Sequence, residues 1–193
     1  MSARKESPSQ TAGPYVHIGC TPNAAGITGV YPQDLCAGIA PGAEGQIAVE
    51  GQVFDGAGDP VRDALVEIWH ADAEGRYPAR LEEGARGWAR SATDGETGMF
   101  RFALSRPGRV PWPDGRPQAP HITFWIVARG INLGLHTRLY FEDEAEANAA
   151  DPILGAITPP ARARTLLARR EAAGRYRFDI HLQGPDETVF FDI

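Results

Sequence analysis

The chain carries five histidines, five tyrosines and two cysteines. Their positions decide what metal or acid–base chemistry it could support. His121 and Thr123 stand two apart in an apolar run, so in a strand both point to one face. A second imidazole at 123 would make a metal half-site; a hydroxyl does not. On pattern alone His121 reads as a hydrogen-bonded strand histidine after Pro120. His70 and Asp72 could share a face in the same way, as an isolated pair. His17, His136 and His181 have no acidic or histidine neighbour in sequence. Asp94 and Glu96 flank Gly95; paired carboxylates can move protons, but this spacing suits a turn. Arg129 ends an apolar run and precedes Gly130, where a cation could fork onto a carboxylate or lie in solvent. Thr11, Gly13, Pro14 and Tyr15 form a stiff segment with a hydroxyl and an aromatic ring. Alone, they indicate an ordered turn. Cys20 and Cys36 lack Cys-x-x-Cys spacing and read as two reduced thiols. Phosphate-loop, dinucleotide and nucleophile-elbow motifs are absent.

Composition bounds the setting of these groups. At 193 residues the length suits one domain. Such a chain buries enough apolar surface to need no disulfides. The net charge of −6 and the lack of a basic block argue against nucleic acid and anionic membranes as partners. No run of 18 apolar residues occurs, so no membrane-spanning helix is expected. The first ten residues lack the apolar centre of a secretory signal, and the expected location is the cytoplasm.

The elements that would position the candidates are mostly strands. Gly and Pro together supply 38 residues, and turn-rich chains of this kind tend to be strand-rich. Residues 1–45 read as an irregular arm, with turn signals at Gly13-Pro14, Thr21-Pro22-Asn23, Tyr31-Pro32 and Ala40-Pro41-Gly42. Residues 46–193 read as the folded domain. Alternation predicts strands from Gln46 to Val53 and over 98–104. Residues 64–69 read as a mostly apolar strand buried on both faces, and 121–128, 135–141 and 176–182 as further strands rich in β-branched and aromatic side chains. Residues 75–87 read as irregular, and 187–191 as a last edge strand. Four prolines between Arg106 and Pro117 exclude a regular ladder there. One helix is expected to start at Thr158-Pro159, run through Leu166 and Leu167, and end at Gly174. The sum is an all-β chain: a β-sandwich of about eight short strands with long loops, an irregular N-terminal arm and one or two short helices.

Several of these segments together resemble the intradiol ring-cleaving dioxygenases. The segments are Gly58-Asp-Pro-Val-Arg-Asp-Ala64, Leu65-Val-Glu-Ile-Trp-His-Ala-Asp-Ala-Glu-Gly-Arg-Tyr77, Thr93-Asp-Gly-Glu-Thr-Gly98, Arg106-Pro-Gly-Arg-Val-Pro-Trp112, Pro120-His-Ile-Thr-Phe124 and Tyr176-Arg-Phe-Asp-Ile180. They occur in order along nearly the whole chain. The family holds a ferric ion with two tyrosinates and two histidines. The hard, highly charged ion stabilises phenolates and binds a catecholate, which dioxygen then opens between its two oxygenated carbons. In this chain Val110 stands where Pro-Gly-x-Tyr-Pro-Trp supplies a tyrosinate. Thr123 stands where His-x-His supplies the second imidazole, and no tyrosine follows Tyr77 before Trp88. Only His121 keeps a ligand position.

The resemblance therefore implies an alpha-type chain that holds no metal. Fe(III) would sit in a partner beta-type chain of the same family. Thr11, Gly13, Pro14, Tyr15 and Arg129 would line that partner's substrate pocket, as the arm and the Ala128-Arg-Gly-Ile-Asn132 segment resemble those of alpha-type chains. An arginine suits a catechol that carries a carboxylate. The positions Val110, His121 and Thr123 would be vestigial, and no catalytic residue is expected here. Two other readings stay open on sequence. One is a transthyretin-like binding module without catalysis, which leaves the 106–112 loop unexplained. The other is a self-sufficient enzyme with unmatched metal ligands.

Overall fold

The computed structural model describes residues 11–31, 45–78 and 87–192. Expectations for the first ten residues, for Pro32, for Cys36, for Ala40-Pro41-Gly42 and for residues 79–86 lie outside the described residues. Eleven strands are present among them: β1 Gln46–Phe54, β2 Leu65–His70, β3 Trp88–Ala92, β4 Met99–Ser105, β5 Val110–Pro111, β6 Pro117–Gln118, β7 His121–Val127, β8 Leu135–Phe141, β9 Leu167–Ala172, β10 Arg175–Arg177 and β11 Ile180–His181. Two short helices, α1 Val16–Cys20 and α2 Ala145–Ala150, accompany them.

Nine strands form one hydrogen-bonded sheet folded on itself, eight along one path and β4 branching from β1. One layer is β4-β1-β10-β9, with β11 beside β1. The other is β8-β7-β2-β3. The layers share an edge where Tyr140 and Phe141 of β8 pair in parallel with Leu167 and Ala168 of β9. β1 shows strict alternation of buried and half-buried residues, and its inward side chains meet those of β4 and β7. Phe100 and Phe102 pack edge-on against Phe124, 5.9 and 6.2 Å between ring centres. Burying these rings and the surrounding Val, Ile and Leu side chains supplies the main driving force. The all-β sandwich expected from sequence is the observed architecture.

Four elements differ from expectation, one being the strand expected over 176–182, which is split into β10 and β11. The predicted helix is only a 3-10 turn, Pro160–Leu166. Leu167 then starts β9, and Gly174, at φ 68°, turns the chain into β10. Leu166 and Ala168 are fully buried while Leu167 is exposed, a period of two that sheet pairing imposes over helix propensity. β3 carried no sequence signal, because all five of its residues are half-buried and none alternates. The expected edge strand at 187–191 reduces to a single bridge between Phe191 and His136.

The prolines of the 106–117 loop confine it to two rungs, Val110 with Gln118 and Pro111 with Pro117. Backbone contact holds this loop against the 72–76 turn. The Gly108 N–H donates to the Asp72 carbonyl at 2.8 Å. A β-carbon on Gly108 would lie 2.1 Å from the Ala73 carbonyl oxygen, so no larger residue fits that approach.

Candidate functional site

Two groups of polar side chains answer to the sequence candidates. The first lies on the outer face of β7 and β8. Register places His121 opposite Tyr140 and Thr123 opposite Arg138. Because side chains alternate, all four occupy one face, while Ile122, Phe124 and Leu139 turn inward. Trp69 of β2 extends the same face beside Thr123. Tyr77 comes over from the 72–78 turn, its ring parallel to Trp69 at 6.1 Å.

The hydrogen bonds of this face form a connected set. His121 Nδ1 donates to the Ala119 carbonyl at 2.8 Å. A carbonyl can only accept, so Nε2 carries the lone pair. The Tyr77 hydroxyl donates toward that Nε2 over 3.4 Å. Arg138 Nη1 donates to Gln118 Oε1 at 2.8 Å and to the Tyr140 hydroxyl at 3.3 Å. Tyr140 passes its own proton toward Asp151. Asp151 also accepts the backbone N–H groups of Ala119, Ile153 and Leu154 at 2.7–2.9 Å.

Burial and one cation set the electrostatics. Burial, reinforced by the positive charge of Arg138, pushes the His121 imidazole down to about 4. Burial raises the Tyr77 and Tyr140 phenols above their usual range, and Arg138 pulls each partly back. At neutral pH the face therefore holds a neutral imidazole, two protonated phenols and one guanidinium. Val110 is buried at the margin of this set, in register with Gln118.

A trivalent ion does not fit this donor set. Val110 and Thr123 offer neither phenolate nor imidazole. A fixed guanidinium already acts on both His121 and Tyr77, so a second, larger positive charge would meet repulsion where ligands should attract it.

The second group is a rim at the β7–β8 turn. The Thr11 hydroxyl accepts the Gly130 N–H at 2.8 Å and lies 3.4 Å from the Ala128 carbonyl, which its own proton can reach. The structure thus brings Thr11 onto the segment that carries Arg129, although 118 positions separate them in sequence. Arg129 Nε pairs with the Asp63 carboxylate, and the guanidinium side chain remains 62% exposed. Gly13 and Pro14 are exposed, and the Tyr15 ring is 76% exposed just before α1. Leu133, on the same turn as Gly130, is 80% exposed. Arg129 and Leu133 thus stand open on one turn, and the exposed Tyr15 follows four residues after the Thr11 that is anchored to that turn.

The remaining candidates resolve into structure. His70 is buried, and its Nδ1 bonds to the Ala71 carbonyl. Asp72 instead caps its turn and pairs with Arg76. Asp94 Oδ1 accepts from the Glu96 and Thr97 backbone, so the Asp94-Gly-Glu96 trio is a turn. Cys20 is a free thiol. Sequence reasoning missed Arg138, Tyr140, Gln118 and Asp151. The Arg138-x-Tyr140 spacing was visible as a period-two pair, but only the β7–β8 register shows that it faces His121-x-Thr123.

Comparison with known proteins identifies the family. Residues 33–184 match a family model described as dioxygenase. The protocatechuate 3,4-dioxygenase alpha chain of Pseudomonas putida is 49% identical, over 97% of this chain and 96% of its own length. The beta chain of the same enzyme from Burkholderia cepacia is 37% identical, over 74% of this chain and 66% of its own. Among solved structures, the dioxygenase domain of a carbohydrate-binding fusion protein from Streptomyces sp. SirexAA-E superposes with a TM-score of 0.55. It is 26% identical, over 80% of this chain and 86% of the other. The match spans strands of both layers and the 106–112 loop, which a transthyretin-like module would not explain. The chain belongs to the intradiol ring-cleaving dioxygenase family.

Proposed function

We propose that this chain is the alpha subunit of a protocatechuate 3,4-dioxygenase and completes an active site whose Fe(III) is held by the beta subunit. The observation that carries the reading is identity of 49% with an alpha chain over almost the full length of both proteins. The assembled enzyme would join O2 to 3,4-dihydroxybenzoate and open the ring to 3-carboxy-cis,cis-muconate. This chain would supply no catalytic residue. Residues 46–193 would act as the scaffold and residues 1–45 as an arm that packs on the beta subunit in the cytoplasm.

The residues assigned to the shared pocket are Thr11, Gly13, Pro14, Tyr15 and Arg129. Three features support the assignment. Thr11 clamps the backbone on both sides of Arg129. Arg129 keeps most of its guanidinium open. Tyr15 is an exposed aromatic on the arm. An open guanidinium can fork onto the substrate carboxylate that simple catechol lacks. It could instead meet a beta-subunit carboxylate, and substrate comparison separates the two roles.

The test is co-expression with the beta chain. Protocatechuate cleavage and iron should appear in the complex, and the purified 193-residue chain should show neither. A stoichiometric, burgundy ferric centre in this chain alone would sink the assignment.

A further inference from the structure

Five arginines are half-buried among the described residues: Arg90, Arg106, Arg138, Arg162 and Arg177. Four of them hold a carboxylate. Arg90 pairs with Glu67 at 2.6 Å, Arg106 with Glu144 at 2.9 Å, Arg162 with Glu187 at 3.1 Å and Arg177 with Asp179 at 2.7 Å. Arg138 holds none among the described residues. Partly desolvating a charge without a counter-ion costs free energy, which is why the other four are paired. Of the Arg138 nitrogens only Nη1 donates a hydrogen bond among the described residues, to Gln118 and Tyr140, and the guanidinium lies 5.9 Å from the Phe191 ring centre. Nε and Nη2 donate to no described residue, and neither is sealed from solvent. The nearby carboxylate, Asp151, is committed to three backbone N–H groups and the Tyr140 hydroxyl.

We propose that Arg138, with Tyr77, forms a binding site for a small carboxylate anion on the outer face of β7 and β8. The free Nε–Nη2 edge is the planar fork that matches a carboxylate in bidentate fashion. The Tyr77 hydroxyl is a second donor, held only by a long bond to His121 Nε2. Tyr77 is 38% exposed, and with Trp69 it offers a ring pair against which an apolar anion can lie. His121 stays neutral, so Arg138 supplies the positive charge of the site. The site is distinct from the Arg129 rim, and the inference does not rest on the proposed alpha-subunit role.

The test is calorimetric titration of the full 193-residue chain with sodium benzoate at pH 7, without a partner chain or iron. One saturable site is expected. Arg138→Gln should weaken it at least tenfold, and Tyr77→Phe about two- to fivefold. Each variant is checked by its melting temperature. Absence of saturable binding, or equal affinity in Arg138→Gln, would overturn the proposal. Should Arg138→Gln fail to fold, the wild-type chain still decides the matter. Benzoate should slow phenylglyoxal modification of the peptide containing Arg138, and no protection at that peptide refutes the site.

Discussion

The face around His121 and the rim around Arg129 are built from similar groups and spend them differently. On the first, most donors and acceptors are buried and turned on one another, so that Ala119, Gln118, Tyr140 and Asp151 are satisfied within the chain, while Arg138 and Tyr77 keep part of their surface open. On the second, Thr11 fixes the backbone, but Arg129, Tyr15 and Leu133 stay open. A buried polar network contributes to folding because breaking it strands donors away from water. An exposed ion pair contributes little to folding, since water replaces either partner. The difference separates a region whose buried polar groups are mostly committed to the fold from one whose cation and apolar side chains are open to solvent. It also predicts opposite consequences for mutation.

The largest effect should come from Asp151. Asp151→Ala leaves the Ala119, Ile153 and Leu154 N–H groups without their acceptor in a buried setting. The expected loss is on the order of 3–5 kcal/mol of folding stability, read by urea unfolding. Asp151→Asn keeps an acceptor oxygen and should recover part of it. A loss under 1 kcal/mol in Asp151→Ala would mean that the face is not a folding element, and the comparison would collapse.

Next in size is the pH response of the same face. The folded-state value for His121 is about 4, against about 6.5 in the unfolded chain. The unfolded chain therefore takes up the proton first. Stability from the neutral imidazole is complete above about pH 6.5 and is lost as pH falls toward 4, by about 3 kcal/mol at most. Burial lowers His70 as well and adds loss of the same sign. His121→Gln isolates the first contribution. The variant's stability should fall less than that of the wild type between pH 7 and 4.5, and equal slopes would contradict the assignment.

Much of the fold was legible because period-two patterns survive wherever one side of a strand meets the core. β1 and β4 follow that rule, while β7 and β8 were legible from their β-branched and aromatic content. β3 was hidden because half-burial along its length erases alternation. Residues 167–172 were misread because Leu166-Leu167-Ala168 suits a helix locally, and only pairing with β8 makes it a strand. The site divides in the same way. His121 and Thr123 were legible as a local pair. Arg138 and Asp151 were not, since register and a distant turn bring them there. Thr11 reaches Gly130 only through tertiary folding, and without the family resemblance nothing in sequence ties them.

The rim should give effects on activity rather than on folding. In the complex with the beta subunit, Arg129→Ala should lower kcat/KM for protocatechuate about 10- to 100-fold, the worth of a guanidinium–carboxylate contact. Its unfolding midpoint should stay within about 0.5 kcal/mol of wild type. If Arg129 meets the substrate carboxylate, turnover of catechol, which lacks that group, should change little. Equal losses on both substrates would instead place Arg129 against a beta-subunit carboxylate. Wild-type turnover and affinity in Arg129→Ala would remove the residue from the site altogether.

The smallest effect, and the finest test of the rim, concerns Asp63. Its carboxylate is mostly buried and holds Nε of Arg129, leaving the outer part of the guanidinium free. Asp63→Asn removes the charge while keeping the side chain's shape and an acceptor oxygen. The loss of direction should raise KM for protocatechuate about two- to fivefold, with kcat nearly unchanged, because the residue orients a binding group and touches no reacting atom. Asp63→Glu, which restores the charge, should recover most of the affinity. A fall in kcat at constant KM would instead mean that Asp63 acts on the chemical step. The rim would then be more than a positioning surface, and its contrast with the His121 face would need to be redrawn.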